Sequence, residues 1–182
     1  MKIDSIKFPI FLPDATRGVV RSLDSQDLTA CGIEALVVCT YHLMNTPWID
    51  TLNKAGGLKK FMNWDGFIVS DSGGFQIMSL LHSKKTKGKI TDEGIYFQWE
   101  RSGRREDVFL TPEKSIEMQF VIGADIMICL DDFAKPDATE KELTETVRKT
   151  VLWAARSKAE FERQCEIRYL EKKNRPLLLA VL

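Results

Sequence analysis

Residues 70 to 76, Ser-Asp-Ser-Gly-Gly-Phe-Gln, bring together side chains that could bind a flat, polar molecule. They lie between two apolar runs, where a strand would give way to a helix. The pair Gly73-Gly74 allows a tight turn and lets a ligand approach the backbone, and the free N–H groups of a starting helix favour an oxygen-rich or anionic group. Phe75 offers an apolar face to a ring, and Asp71 can accept hydrogen bonds from ring N–H groups. The segment therefore predicts a site for a planar heterocycle rich in donors.

The same residues also fit an ordinary joint between a strand and a helix. Asp, Ser and Gly are common turn residues. Asp71 could cap the helix, and Phe75 could belong to the core. Taken alone, the segment favours this structural interpretation over a binding site.

A second acidic segment, Asp131-Asp132, follows the apolar run Ile-Met-Ile-Cys-Leu. Adjacent residues of a strand point to opposite sides, so one of the two carboxylates is expected to face a pocket. Asp131 could pair with a guanidine-like or amidine-like edge, and Asp132 could cap the chain or face water. A strand end that enters a polar loop explains the pair equally well. Magnesium binding by Asp71 and Asp131 is a weaker alternative, because the other predicted strand ends carry no further carboxylates.

The elements that would position these residues alternate along the chain. Continuous apolar runs predict buried strands at residues 33–39, 66–69, 125–132 and in the C-terminal Arg-Pro-Leu-Leu-Leu-Ala-Val-Leu. Helical segments separate these strands, and alternation of this kind predicts parallel strands with right-handed crossovers. Functional groups then lie at the carboxyl ends of the strands, where Asp71 and Asp131 both fall.

Capping signals and periodicity predict the helices. Asp24 before Ser25 marks a short helix that Gly32 ends, Thr111-Pro112-Glu113 starts another that Gly123 ends, and Gly56-Gly57 stops a third. Thr139 and Glu142 form a capping box for a long amphipathic helix. Its apolar residues recur at helical spacing: Leu143, Val147, Val151, Ala154, Phe161 and Cys165. A short helix over residues 77–81 is also expected.

The remaining segments are interpreted as structure. Residues 6–13 and 18–23 predict short strands, and the aromatic runs on either side of residues 101–106 predict an inserted β-hairpin. The basic segments Ser-Lys-Lys-Thr-Lys-Gly-Lys and Arg-Ser-Gly-Arg-Arg-Glu could contact phosphate, although solvated loops are the commoner explanation. His42 and the four tryptophans are assigned to structure and packing.

Composition places the 182 residues in one globular unit, with 26 basic and 26 acidic residues and therefore no global field that favours nucleic acid. The four cysteines lack metal-site or disulfide spacing, which predicts reduced thiols in a cytoplasmic protein. No segment has the length of a signal peptide or a membrane span, and we expect no membrane association.

Several segments together identify a resemblance to a known family. The chain resembles the tRNA-guanine transglycosylases, also called queuine tRNA-ribosyltransferases, from about Phe11 to its end. The segments that carry the resemblance, in chain order, are FLPDATRGVVRSL, TYHL, AGGLKKFMNWDGFIVSDSGGFQIMSL, LTPEKSIEMQ and GADIMICLDD. The resemblance shifts the balance from the structural interpretations to the functional ones.

The resemblance implies a (β/α)8 TIM barrel, of which this chain would supply about the first four β/α units together with the short N-terminal strands and the inserted hairpin. Family members replace guanine in tRNA with a 7-deazaguanine base of the queuine or preQ1 type. An aspartate attacks the ribose anomeric carbon while guanine leaves, and the incoming base then displaces the enzyme. Zinc is expected in the full-length family, and family members dimerise.

The resemblance also assigns roles to the site residues. Asp71 corresponds to the proton-handling aspartate that contacts the base, and Phe75 to the aromatic ring that stacks on it. Asp131 corresponds to the carboxylate that recognises the amino-pyrimidine edge of guanine. Three further residues correspond to the lining of the base pocket: Ser72, Gly73 and Gly74.

The chain departs from the family pattern in sequence and in length. Val38-Cys39 stands where the family has Gly-Asn, and Asp131-Asp132-Phe133 replaces Asp-Glu-Cys. The resemblance stops at the fourth barrel strand, before the nucleophilic aspartate and the zinc ligands. We therefore expect a truncated chain that is inactive alone. A DNA-directed 7-deazaguanine transglycosylase and a non-catalytic base-binding or partner subunit are the alternatives.

Overall fold

The computed structural model describes residues 9–45, 47–101 and 104–181. Its helices are α1 (Ser25–Ala30), α2 (Thr40–Leu43), α3 (Trp48–Ala55), α4 (Leu58–Met62), α5 (Gly74–His82), α6 (Pro112–Ile122) and α7 (Glu140–Ile167). Its strands are β1 (Ala35–Cys39), β2 (Phe67–Asp71), β3 (Gly88–Ile90), β4 (Ile95–Arg101), β5 (Arg104–Leu110), β6 (Ile126–Ile128) and β7 (Leu177–Leu179).

A parallel sheet in the order β1-β2-β6-β7 forms the centre of the chain. Its strands are joined through helices, which confirms the parallel alternation predicted from the apolar runs. The strand predicted at residues 125–132 is shorter, because its ladder with β7 covers residues 126–128. The sheet thus provides one edge at which the carboxyl ends of neighbouring strands meet.

The sheet is buried on both faces over its first two strands. Leu36 of β1 and Ile68 of β2 are fully buried and belong to one core cluster with Ile116 of α6 and Phe161 of α7. Continuous apolar runs are the expected sequence for strands covered on both faces. This packing holds the carboxyl ends of β1 and β2 in place beside each other.

The predicted helix boundaries are confirmed where capping chemistry defined them. The Thr111 hydroxyl accepts the Lys114 amide at the start of α6, and Thr139 and Glu142 form the capping box of α7. Gly123 ends α6 in the left-handed conformation that glycine adopts without steric cost.

Helix α7 is amphipathic along part of its length. Phe161 and Cys165 are buried, as the helical spacing predicts for a core-facing side, and Trp153, assigned to packing from the sequence, is also buried. Leu143, Val147 and Val151 are instead 48%, 63% and 65% exposed. Periodicity predicts an apolar face but not what covers it, and within the described residues this first half of the face stays open to solvent.

A three-stranded antiparallel sheet, β3-β4-β5, is inserted between α5 and α6. Its β4–β5 pairing confirms the predicted hairpin. The basic segment before it was predicted to be a loop throughout, but its last two residues, Gly88 and Lys89, pair with β4. Trp99 of β4 stacks on Tyr41 of α2, with ring centroids 4.7 Å apart, and so joins this sheet to the end of β1.

The two short strands predicted near the N-terminus are not formed in the described residues. Residues 6–8 lie outside that part of the chain, and residues 9–23 contribute isolated bridges between Asp14 and Val37 and between Val20 and Leu23. Pro13 lacks an N–H group, and Gly18 and Ser22 have positive φ, so the segment cannot sustain a ladder.

All four cysteines are free thiols, of which Cys39, Cys129 and Cys165 are buried. This agrees with the prediction that the chain has no disulfide framework. Of the helices in the described ranges, none is long and apolar enough to cross a membrane.

Candidate active site

The carboxyl ends of β2 and β6 bring the predicted site residues to one edge of the parallel sheet. Asp71 is the last residue of β2, and Asp131 follows the end of β6 at Ile128. The two strands are parallel neighbours, with Ser70 in register with Met127. The order and direction of the strands therefore confirm the prediction that both carboxylates lie at this edge of the sheet.

Asp71 is held by neutral hydrogen-bond donors. Its Oδ1 accepts the backbone N–H of Thr40 at 3.1 Å and that of Gly73 at 2.9 Å. Its Oδ2 accepts the Gln76 carboxamide at 3.3 Å. Burial raises the pKa of Asp71 above the ordinary aspartate value, and these donors oppose the shift. The shift favours the protonated form of Asp71 relative to that of an exposed aspartate.

Cys39, the last residue of β1, lies beside Asp71. It is in register with Asp71 and is 4% exposed. Burial, followed by the charge of the neighbouring Asp71 carboxylate, raises the pKa of the Cys39 thiol. The thiol therefore stays protonated and can donate to that carboxylate. A weak donor thus occupies the position at which the family pattern has asparagine.

The Gly73-Gly74 pair lets the strand ends approach closely. Gly73 has φ +80°, and a Cβ there would lie 2.8 Å from the backbone nitrogen of Tyr41. A Cβ on Gly74 would lie 2.7 Å from Leu130 Cδ1. The space above the glycines is thus used by the chain itself. Their amides also have internal acceptors, since Gly73 N–H donates to Asp71 and Gly74 N–H to the Ser72 hydroxyl.

Ser72 lies between the two acidic segments and its side chain faces Asp131. It is 4% exposed, and its hydroxyl lies 3.5 Å from Asp131 Oδ1, at the limit of a hydrogen bond. Its carbonyl accepts the Ser115 hydroxyl of α6 at 2.9 Å. Asp71, through the Gly73 turn, and Asp131, through Ser72, thereby belong to one hydrogen-bonded cluster.

Asp131 and Asp132 point in different directions, as predicted for adjacent residues. Asp131 is half-buried, and burial raises its pKa, with a smaller contribution from the charges of Asp132 and Asp71. Asp132 is 7% exposed and its Oδ2 lies 2.6 Å from Lys149 Nζ of α7. The expectation that Asp132 could face water was therefore wrong, because α7 supplies a cation that covers it.

Phe75 presents its ring at the rim of the cluster. It is 52% exposed and meets the ring of Phe133 edge to face, with centroids 4.8 Å apart. Phe75 is thus not a core residue, which was the structural alternative. Two partly exposed aromatic rings beside buried carboxyl groups form a surface on which a planar ring could stack.

Sequence reasoning missed several residues that shape this site. Gln76 both donates to Asp71 and keeps a buried Oε1 that has no hydrogen-bond partner among the described residues. Ser115 and Thr40 reach the cluster from other elements. Gln76 could have been found from its place in the same motif, but Ser115 lies 43 positions from its partner and gave no local signal.

The described residues contain no group of three His, Cys, Asp or Glu side chains placed to hold a metal ion.

Comparison with known proteins agrees with the resemblance. The family model described as queuine tRNA-ribosyltransferase matches residues 1–181. A protein of that name from Ruegeria sp. (strain TM1040) is 38% identical over 156 residues, which are 86% of this chain and 40% of the relative. Proteins of the same name from Shouchella clausii and Thermotoga neapolitana are 39% and 38% identical, covering 87% and 89% of this chain.

The chain spans 40% to 42% of the length of these relatives. The match nevertheless extends over nearly all of its own residues, including both acidic segments of the site. The chain belongs to the queuine tRNA-ribosyltransferase family.

Proposed function

We propose that this chain recognises guanine and 7-deazaguanine bases as the base-binding part of a tRNA-guanine transglycosylase. The observation that carries the proposal is the turn at residues 72–74, where Gly73 N–H donates to Asp71 and the Ser72 hydroxyl lies 3.5 Å from Asp131, with Phe75 at the rim. Family membership supplies the substrate class, and the cluster supplies the chemistry that could bind it.

Each site residue has a distinct role in this proposal. Asp131 accepts two N–H bonds from the amino-pyrimidine edge of the base, and Phe75 stacks on its ring plane while Phe133 supports the Phe75 ring edge to face. Asp71 accepts and returns the proton that the base exchanges when it leaves or enters. Ser72, Gly73 and Gly74 form part of the pocket wall, where the two glycines let Tyr41 and Leu130 pack closely. The raised pKa values of Asp71 and Asp131 suit groups that change protonation state or bind donors during a reaction.

We propose that the base binds to an open surface of this chain and not in an enclosed pocket. Three clefts of about 410, 430 and 490 Å³ are lined by residues other than Asp71 and Asp131. We propose that residues 1–182 form a single unit whose four parallel strands are the first four of a (β/α)8 barrel, a fold of ~250 residues. The remaining strands would close the pocket.

The complete exchange is proposed for the whole protein and not for this stretch. The covalent step needs a nucleophilic aspartate, which the resemblance assigns to the part of the family that this chain does not match. We therefore expect this chain to bind a base without turning over. A cytoplasmic location, a tRNA substrate, dimer formation and a zinc ion for the full-length protein are parts of the same proposal.

Calorimetry with guanine tests the base-binding role. We expect Asp131→Asn to weaken guanine binding by roughly 10- to 100-fold, because hydrogen bonds to a charged group contribute about 1.5–3 kcal/mol. The matched control is Asp137→Asn, an exposed carboxylate in the same loop, which should leave binding unchanged. Equal affinities for the parent and Asp131→Asn would remove Asp131 from the site.

The stacking role is tested separately. We expect Phe75→Ala to weaken guanine binding by about 1–3 kcal/mol, the usual range for loss of a base-stacking ring. Phe61→Ala removes a ring that is also partly exposed, at 42%, but packs against Trp48 and not against Phe133. A loss of similar size in both variants would show that Phe75 has no special contact with the base.

A further inference from the structure

Exposed lysines that the base-binding role does not use lie on strand β3 and in the loop before it. Lys84, Lys85, Lys87 and Lys89 are all exposed, and none of them forms an ion pair with a carboxylate in the part of the chain that the structure describes. This row of lysines on β3 and the loop before it is called the lysine edge below.

The lysine edge continues into a pair of aromatic rings on the same face. Lys89, Tyr96 and Phe109 are direct neighbours across the three strands, so their side chains leave the same side of the sheet. The rings of Tyr96 and Phe109 stack with centroids 3.8 Å apart, and Lys89 Nζ lies 5.1 Å from the Tyr96 centroid. The buried residues Ile95, Phe97 and Leu110 occupy the opposite side.

A shallow cleft of about 430 Å³ crosses this face between Lys87, Tyr96 and Gln98. Its one acidic side chain is Asp107, which is in register with Gln98. A surface that combines unpaired cations with aromatic rings is the arrangement by which proteins hold a nucleic-acid backbone without reading its sequence.

A direct chain of contacts links the lysine edge to the candidate active site. Gln98 N–H donates to the Lys87 carbonyl at 2.9 Å, and the Thr86 hydroxyl donates to the Gln98 carbonyl. The next residue of β4, Trp99, stacks on Tyr41. Tyr41 follows Thr40, whose backbone N–H holds Asp71. Trp99 lies on the side of β4 opposite Tyr96, so the sheet that carries Lys89 on its outer face packs with its inner face against the wall of the base site.

We propose that the lysine edge binds the sugar-phosphate backbone of the RNA whose guanine enters the base site. The inference rests on the proposed function for its choice of RNA, and charge complementarity between a polyanion and unpaired lysines favours this occupant. Lysines on an edge strand also prevent sheets from pairing with one another, so the test must separate RNA binding from protection against aggregation.

The experiment measures binding of a fluorescein-labelled RNA hairpin, with a guanine in its loop, by fluorescence anisotropy at a series of KCl concentrations. The test variant combines Lys84→Gln, Lys85→Gln, Lys87→Gln and Lys89→Gln. We expect its affinity to fall roughly tenfold or more at low salt. The slope of log K against log salt should become less steep by about 3, because each of the four lost contacts with single-stranded phosphate contributes about 0.7.

The matched control removes four other exposed lysines, Lys54→Gln, Lys141→Gln, Lys158→Gln and Lys172→Gln, and so keeps the net charge of the test variant. It should retain most of the affinity. Asp107→Asn should have the opposite effect on RNA affinity, because removing the carboxylate of the cleft should strengthen RNA binding. Size-exclusion chromatography of every variant reports aggregation.

The inference is overturned if the parent does not bind the hairpin, if the control loses as much affinity as the test variant, or if the test variant aggregates but keeps its RNA affinity. Binding of phosphatidylserine vesicles without binding of the hairpin would also overturn it. Guanine calorimetry separates this result from the proposed function: loss of RNA binding with unchanged guanine affinity supports the lysine edge, whereas failure of the parent to bind guanine refutes the base site alone.

Discussion

The acidic side chains of the candidate active site and those beside helix α7 are held in opposite ways. Asp71 and Asp131 accept hydrogen bonds from neutral groups, namely amides, a carboxamide and a hydroxyl. Glu113 and Asp92 instead accept hydrogen bonds from Arg156 and Arg148 of α7. Burial raises the pKa of both site carboxyls, whereas the hydrogen bond from Arg148 lowers that of Asp92.

The type of hydrogen-bond donor distinguishes acids that could take part in chemistry from acids that stabilise the fold. A carboxylate beside an arginine is locked in its charged form and serves to join elements. A buried carboxyl with neutral donors keeps access to both protonation states. Asp131 and Asp132 show the contrast in adjacent residues, since Asp132 alone has a lysine partner.

The largest effect is expected from Lys149→Met, which removes the partner of the buried Asp132. We expect the free energy of unfolding to fall by about 3 kcal/mol, because an uncompensated charge would remain in the interior. Urea denaturation measures this change. Arg148→Met, one residue earlier, breaks the exposed pairs with Asp92 and Glu145 and should cost much less than Lys149→Met, because solvent screens exposed pairs. Equal losses would mean that burial does not distinguish the two sets of acids.

The next largest effect is expected from Gly73→Ala, which disturbs a neutral donor to Asp71. We expect a loss of about 2 kcal/mol, since alanine is strained at φ +80° and its Cβ would meet the Tyr41 nitrogen. Gly32→Ala is the matched control, because its φ is +71° but no atom lies within 4 Å of the added Cβ. That variant should lose about 1 kcal/mol from strain alone. Comparable losses would show that the close approach to Tyr41 has no energetic weight.

The smallest effect concerns the pH dependence of stability. The raised pKa of Asp131 makes its contribution largest below the ordinary aspartate value of 3.8 and smaller as the pH rises through the raised pKa. The lowered pKa of Asp92 gives a contribution that is present above 3.8 and lost as the pH falls. Relative to the parent, Asp131→Asn should therefore gain stability with rising pH, and Asp92→Asn should lose it. Urea denaturation from acid to neutral pH would contradict the comparison if both variants changed in the same direction.

Local chemistry was sufficient to predict most of the elements. The boundaries of α6 and α7 followed from the hydroxyl caps at Thr111 and Thr139 and from Gly123, because a cap acts within a few residues of itself. The edge shared by Asp71 and Asp131 followed from the alternation of strands and helices. The open face of Leu143, Val147 and Val151 could not be predicted, since helical spacing gives a direction but not a covering element.

The sequence by itself determined the family, the parallel order of the strands and the acidic residues that meet at their ends. Tertiary structure alone decided which of these acids keeps a neutral environment, because Lys149, Ser115 and Thr40 reach the cluster from segments distant in sequence. It also decided that the inner face of the β3-β4-β5 sheet packs on the wall of the base site through Trp99 and Tyr41. The physical reason is that hydrogen bonds, ion pairs and ring stacking depend on distances of a few ångströms, which folding sets between residues that the sequence places far apart.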